Sequence, residues 1–311
     1  MASSSKKVIY AALIGNGLIA VTKFFAAAVS GSSAMLAEGV HSVVDTGNQI
    51  LLLHGLRRSE KPADENFPFG YGKEVYFWSF VVAISIFSLG AGISIYEGIK
   101  HILNPSVIEK PHISYIVLAI AFVFEAAAWT VAFREFRRLK GTRTYLEAVS
   151  RGKDPSTFVV LFEDTAAGIG LIVAFFGILL ADMTGNPVYD GVASIVIGLI
   201  LALTAIWLSY ETKGLLIGEA ANRPVVTGIR NLALELDTIL AVNEVRTMHV
   251  GPQTILVALS VDFRDELVIG QVEQAIASLD RIIKARFPNV EYVYVEAESR
   301  HQLSTAPTSE D

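Results

Sequence analysis

Along the first two-thirds of the chain, apolar residues run on for a helix's length at a time and then give way to polar links. Six such runs, near 8–29, 34–56, 75–102, 113–134, 157–181 and 188–211, reach the roughly 20 helical residues that a bilayer core requires. The links "SGSS", "NPSVIEKPH" and "DMTGNP" are short, whereas "RRSEKPADENFPFGYGKE" and "REFRRLKGTRTYLEAVSRGKD" are longer and charged. From about residue 212 the period changes. "NRPVVTGIRNLALELDTI" has helical spacing, opened by Asn222 with Pro224 just inside. "EVRTMHV" and "TILVALSVDF" are β-rich around the turn "GPQ". "VIGQVEQAIASLDRIIKARF" returns to helical spacing and stops at Pro288, and "VEYVYVEAE" alternates as a strand does. The pattern predicts a membrane all-α six-helix transmembrane domain over 1–211. A cytoplasmic α+β domain of ferredoxin-like type, in the order αββαβ, follows over 212–300, and 301–311 reads as a disordered tail.

Charge orients these elements. Lys6 and Lys7 precede the first run, Arg57, Arg58, Lys61 and Lys73 lie in the second link, and seven Lys/Arg fall between Arg134 and Lys153. The opposite side holds only Lys100 and Lys110. Cytoplasmic loops carry the excess of basic residues, so both termini and the two long links are expected in the cytoplasm. The opening "MASSSKKVIYAALIGNGLIAVTKFFAAAVS" reads as a first spanning helix rather than a cleavable leader. The expected location is a bacterial inner (plasma) membrane. A hydrophobic content of 52% and a mean hydropathy of +0.48 agree with a membrane protein carrying a soluble portion. With no cysteine, disulfides and thiolate metal sites are excluded, and a net charge of −6 gives no reason to expect nucleic acid.

One spanning run breaks the apolar pattern. "EGVHSVVDTGNQ", residues 38–49, puts His41 and Asp45 at i and i+4 on one helix face, with Glu38, Asn48 and Gln49 along the same stripe. At ~1.5 Å per residue the pair lies roughly 10–16 Å from the start of the helix, near mid-bilayer. An ionisable group there costs roughly 2.5–3.5 kcal/mol, which points to function by default. "VVLFEDTAAGIG" places Glu163 and Asp164 at comparable depth in the fifth run, beside the small residues Ala167, Gly168 and Gly170 that allow close helix approach. Imidazole plus carboxylates is the donor set of a first-row divalent metal site, without a thiolate that would hold the ion too tightly for release. Metal binding requires deprotonated ligands, so each entering ion should displace protons. The competing reading of His41 and Asp45 is a structural hydrogen bond between helices. Lys23 reads as a cation snorkelling to the interface, Glu125 as a packing or hydrogen-bonded group or a proton relay, and Asn16 and Asp190 as helix-contact or cap groups.

The six runs, "HSVVD", "PADENFPFGYGKE", the Asp-centred fifth run, "NPVYDGVAS" and the αββαβ order together resemble the cation diffusion facilitators, metal exporters of zinc, iron and manganese. "EDTAAGIG" and "TGNPVYD" are most similar to the zinc transporter 9-like branch. The resemblance covers residues 8–296 and implies a homodimeric, non-enzymatic secondary transporter that exports a divalent cation, Zn²⁺ first and Fe²⁺, Mn²⁺ or Co²⁺ as alternatives, in exchange for protons. No permanently bound cofactor is implied, and the partners are the lipid bilayer, metal ion, protons and a second copy. It implies a metal site of His41, Asp45 and Asp164. The family's fourth ligand falls at Val160, which cannot bind metal, so Glu163, Asn48 or water is the candidate replacement. Auxiliary sites are reduced to Asp64 in the second link and a lone His249 in the C-terminal domain, and Lys73 and Glu219 are candidates for a charge contact. The rival readings are an intramembrane metalloenzyme, which would need a base such as Glu163 beside an open coordination position, and a non-transporting membrane scaffold.

Overall fold

The computed structural model describes residues 2–106, 108, 110–140, 144, 145, 148 and 152–299, so the tail expected over 301–311 lies outside the described residues. The chain divides into two compact units. One runs up to Lys61 and resumes over Glu74–Lys213; the other combines Pro62–Lys73 with the chain from Gly214 onward.

The first unit is helical. It contains α1 (Ala2–Ser30), α2 (Ser33–Ser59), α3 (Glu74–Ser85), α4 (Gly92–Leu103), α5 (Pro111–Lys140), α6 (Pro155–Thr184) and α7 (Val188–Ile217). Gly31, at φ +70°, turns the chain between α1 and α2. The Ser32 hydroxyl then accepts from the Met35 amide at 3.1 Å and caps α2. Asp154 caps α6 with Pro155 just inside, and the αL residue Gly185 ends it. The third apolar run, which the sequence presents as one helix, is α3 and α4 joined through a π-helical turn at Ile86–Ala91.

Among the described residues, four helical segments are long and apolar enough to cross a bilayer: Glu74–Leu103, Pro111–Arg138, Phe158–Thr184 and Val188–Ile217. The segment Asn16–Ser30 of α1 is apolar but shorter. α2 is 27 residues long; the polar stripe that marks it in the sequence is also what lowers its hydropathy. Helices α1, α2, α5 and α6 pack around one another, with α2 also against α3 and α4. α4 meets α7 through glycines. A Cβ at Gly98 would stand 2.7 Å from the Gly191 carbonyl oxygen, and one at Gly198 3.0 Å from that of Ala91. Small residues bring the two backbones together where lipid supplies no hydrophobic drive. Phe122, Val123 and Phe124 on α5 and Leu18, Val21 and Phe25 on α1 are exposed, as suits helix faces solvated by lipid.

The second unit is the α+β fold expected from the periods: α8 (Arg223–Leu234), β1 (Ile239–Gly251), β2 (Thr254–Phe263), α9 (Ile269–Arg286) and β3 (Val290–Ala297). The sheet order is β1-β2-β3, with β1 antiparallel and β3 parallel to the central β2. Val257, Leu259 and Val261 of β2 are buried in one apolar cluster with Ile229 and Ala233 of α8 and Leu279 and Ile283 of α9. The link Pro62–Lys73, which the sequence places inside the transmembrane domain, packs here instead. Gly72 lies so close to β1 that a Cβ on it would stand 2.6 Å from the Val250 carbonyl oxygen. The Phe69 ring also meets Tyr292 of β3 edge-on at 5.2 Å.

Candidate metal centre

Helix α2 is anchored at its start by a carboxylate from another helix. Asp190 of α7 accepts from the Ser32 hydroxyl at 2.7 Å, the Ser33 amide at 2.6 Å and the Ser33 hydroxyl at 2.9 Å. A negative charge there satisfies otherwise orphaned amides and complements the helix dipole. The cap role expected of Asp190 is thus exercised on α2, not on its own helix, and it fixes where the polar stripe begins.

That stripe is entirely interior. Glu38, His41, Asp45, Asn48 and Gln49 are all at most 2% exposed. The structure brings His41 and Asp45 together, with Nδ1 3.2 Å from Oδ1, but the two are not aligned as a hydrogen bond. Both imidazole nitrogens and Asp45 Oδ1 lack a hydrogen-bond partner among the described residues. Buried polar atoms are rarely left this way, so the expected alternative of a structural hydrogen bond does not describe this pair. One turn further, Asn48 Nδ2 donates to Glu163 Oε1 at 2.6 Å, which brings a carboxyl of α6 against the stripe.

Glu163, which the helical wheel turns about 100° from Asp164, is therefore an α6 residue that meets α2, at Asn48. Asp164 is also buried, 4% exposed, with Oδ2 unpartnered among the described residues. Its electrostatic neighbours are Glu125 of α5 and Glu163. Among the described residues, no three His, Asp or Glu side chains are gathered at metal-holding distance; His41 and Asp45 are adjacent, and Asp164 does not complete a cluster with them. Val160 is 3% exposed and belongs to the apolar core.

One interior charge departs from expectation. Lys23 does not snorkel: it is fully buried, and its ammonium donates to Glu38 Oε2 at 2.9 Å and to the Ser42 hydroxyl at 2.9 Å. A partner on the neighbouring helix holds it inside. The sequence signal was available, since a cation in one apolar run and an unmatched acid in the next are complementary. Glu125 is 2% exposed with both oxygens unpartnered among the described residues.

The auxiliary positions have structural employment. Asp64 Oδ1 accepts from the amides of Asn66 and Phe67, and Oδ2 accepts from the Tyr71 hydroxyl at 2.6 Å, so this carboxylate organises its loop. His249 is buried in β1, with Nδ1 3.3 Å from the Gly251 carbonyl oxygen, which makes it an interior strand residue rather than a surface one. Lys73 Nζ lies 3.9 Å from Met248 Sδ, beside Gly218, the residue before Glu219.

Similar proteins share most of this chain. It is 35% identical over 265 residues to the mouse protein named proton-coupled zinc antiporter SLC30A9, mitochondrial, covering 84% of this chain and 47% of that protein. It is 31% identical to metal tolerance protein C4 of Arabidopsis thaliana, over 85% of this chain and 58% of the relative. The chain thus spans about half the length of these curated relatives. A solved cadmium form of the MamM CTD covers 25% of this chain and 96% of its own, with 20% identity and a TM-score of 0.24. The cation efflux transmembrane domain, as a family, matches residues 9–217, the stretch that holds the α2 stripe, the α6 carboxyls and the Asp190 cap; this chain belongs to the cation efflux family.

Proposed function

We propose that the protein is a secondary transporter that exports a divalent transition-metal cation in exchange for protons, with Zn²⁺ as the leading cargo and Fe²⁺, Mn²⁺ or Co²⁺ as alternatives. The observation that carries this reading is the buried pair His41 and Asp45 on α2, whose imidazole nitrogens and Oδ1 have no hydrogen-bond partner among the described residues, inside a helical unit that also buries the α6 carboxyls. The ion binds His41 and Asp45 from α2 and Asp164 from α6, with Glu163 and Asn48 as further donors. In the geometry described above Glu163 is nearer α2 than Asp164, so loading requires α6 to bring Asp164 toward the pair or Glu163 to replace it. Oxygen-rich ligation with Val160 at the remaining family position makes the site less zinc-selective than a two-histidine one. The zinc in the names of similar proteins supports Zn²⁺ as cargo.

The transporter works as a homodimer, its six apolar runs crossing the bilayer with the basic links on the side from which metal is taken. The membrane unit spans 1–211 apart from the link Pro62–Lys73, and 212–300 forms the domain on that same side. The mammalian relatives are named as mitochondrial, which does not fit the bacterial plasma membrane expected from the sequence.

The decisive test is uptake into proteoliposomes with Zn²⁺, Fe²⁺, Mn²⁺, Co²⁺ and Cd²⁺ in competition. Saturable Zn²⁺ flux that is driven by an imposed proton gradient and lost in His41→Ala is expected. Flux indifferent to His41→Ala would overturn the site, and absence of flux for every ion would overturn the transport reading.

A further inference from the structure

Glu38 lies three residues before His41 and seven before Asp45, so all three share one stripe of α2. Its side chain has no exposure at all, and its two oxygens are treated differently. Oε2 is held by the Lys23 ammonium at 2.9 Å. Oε1 has no hydrogen-bond partner among the described residues. It points at α6, where Gly170 makes room: a Cβ on that residue would come within 2.5 Å of Oε1. A buried carboxylate oxygen left without a hydrogen bond costs stability, and the missing side chain of Gly170 is what lets this one pack so close to α6.

The same neighbourhood holds a second vacancy of the opposite kind. Glu125 of α5, a helix that packs against α1, has both oxygens without a hydrogen-bond partner among the described residues. The Lys23 side chain is long and has free rotation at each methylene, with Glu38 on one neighbouring helix and Glu125 on another. It occupies one of them here.

We propose that Glu38 is a second cation station, one helical turn beyond the His41–Asp45 pair toward the start of α2, and that Lys23 is its displaceable stand-in. A divalent ion leaving His41 and Asp45 gains Glu38 Oε1 and drives the ammonium from Glu38 across to Glu125. Return of the ammonium then pushes the ion onward. A tethered cation of this sort speeds release without weakening the first site, because it competes only at the second. The inference rests on the transport reading above and names a further residue pair for the same pathway.

The test uses the full chain, purified and reconstituted, with Zn²⁺ alone as the probe. Glu38→Gln and Lys23→Met are each expected to lower Zn²⁺ turnover at least tenfold. Lys23→Met, with its station unmasked, should bind one more Zn²⁺ per chain than the wild type, and Lys23→Met combined with Glu38→Gln should lose that extra ion. A purely structural ion pair behaves otherwise, because buried pairs can be exchanged for apolar residues of similar volume without loss of stability. The double variant Lys23→Met with Glu38→Met therefore decides the matter even where a single variant fails to fold. Turnover that stays low in a folded double variant supports the station; wild-type turnover there, or an unchanged Zn²⁺ count in a folded Lys23→Met, overturns it. Loss of Zn²⁺ binding in Asp45→Ala is the separate check on the underlying reading. If the wild type neither binds nor moves Zn²⁺, that reading has failed; if it does both while the double variant is fully active, only the station has.

Discussion

At the scale of single residues, the question is which carboxyl of α6 serves α2. If Asp164 is the ligand, Asp164→Ala and Asp45→Ala should each abolish metal flux, while Glu163→Gln, which can still accept from Asn48, should leave a measurable rate. The reverse ranking in proteoliposome uptake would assign the role to Glu163. Val160→His should sharpen competition in favour of Zn²⁺ over Mn²⁺, since an imidazole suits zinc better than manganese; unchanged competition would mean that Val160, now in the apolar core, never turns toward the ion. The polar identity of these positions was legible in the sequence because charge inside an apolar run stands out against its background. Their mutual contacts were not. Helical spacing fixes angles around one axis, but the rotation of α6 against α2 is decided by packing across both helices, and that is what turned Glu163 toward Asn48. Lys23 was misread for the same reason: seen alone in α1 its natural escape is the interface, and only the α1–α2 contact supplies Glu38.

At the scale of elements, α2 depends on a cap it does not own. Asp190→Ala removes the acceptor of the Ser32 and Ser33 donors, leaving buried donors open at a cost of about 1–3 kcal/mol. Thermal unfolding in detergent should show a lowered midpoint, and Asp190→Asn, which retains one acceptor oxygen, a smaller drop. Gly191→Val tests the α4–α7 crossing. Its Cβ would stand 3.0 Å from the Gly98 carbonyl oxygen, and overpacking of this kind costs about 1–3 kcal/mol; a midpoint equal to the wild type would mean that the two helices separate freely. The runs themselves were readable, since length and hydropathy define a spanning helix before any contact forms. The π-helical turn at Ile86–Ala91 was not, because one extra residue in a helical turn leaves an apolar run as apolar as before. In the C-terminal unit the change of period from 3.6 to 2 announced α8, β1, β2, α9 and β3 in order, because each buries one face and exposes the other.

At the scale of the whole molecule, coupling is the central prediction. Metal ligands must shed protons to bind, so transport should acidify the side from which metal departs. A pH dye trapped in vesicles would register this, and a metal flux without any proton signal would argue for simple passage. The dimer proposed for the transporter should appear as twice the chain mass of 33.7 kDa, corrected for bound lipid and detergent, in native mass measurement. A monomer with full activity would remove that element of the reading.

The placement of Pro62–Lys73 in the C-terminal unit bears on how the protein is made. The ribosome delivers Phe69 and Gly72 early, yet their partners Tyr292 and Val250 emerge only after every helix from α3 to α7 has been synthesised. Until then the short aromatic segment has its own internal contacts through Asp64 but not those to Tyr292 and Val250, and the enclosing chain closure is among the last to be completed. A nascent chain arrested before the β1–β2 hairpin should therefore present this segment to proteases and chaperones, and a release from arrest should hide it again.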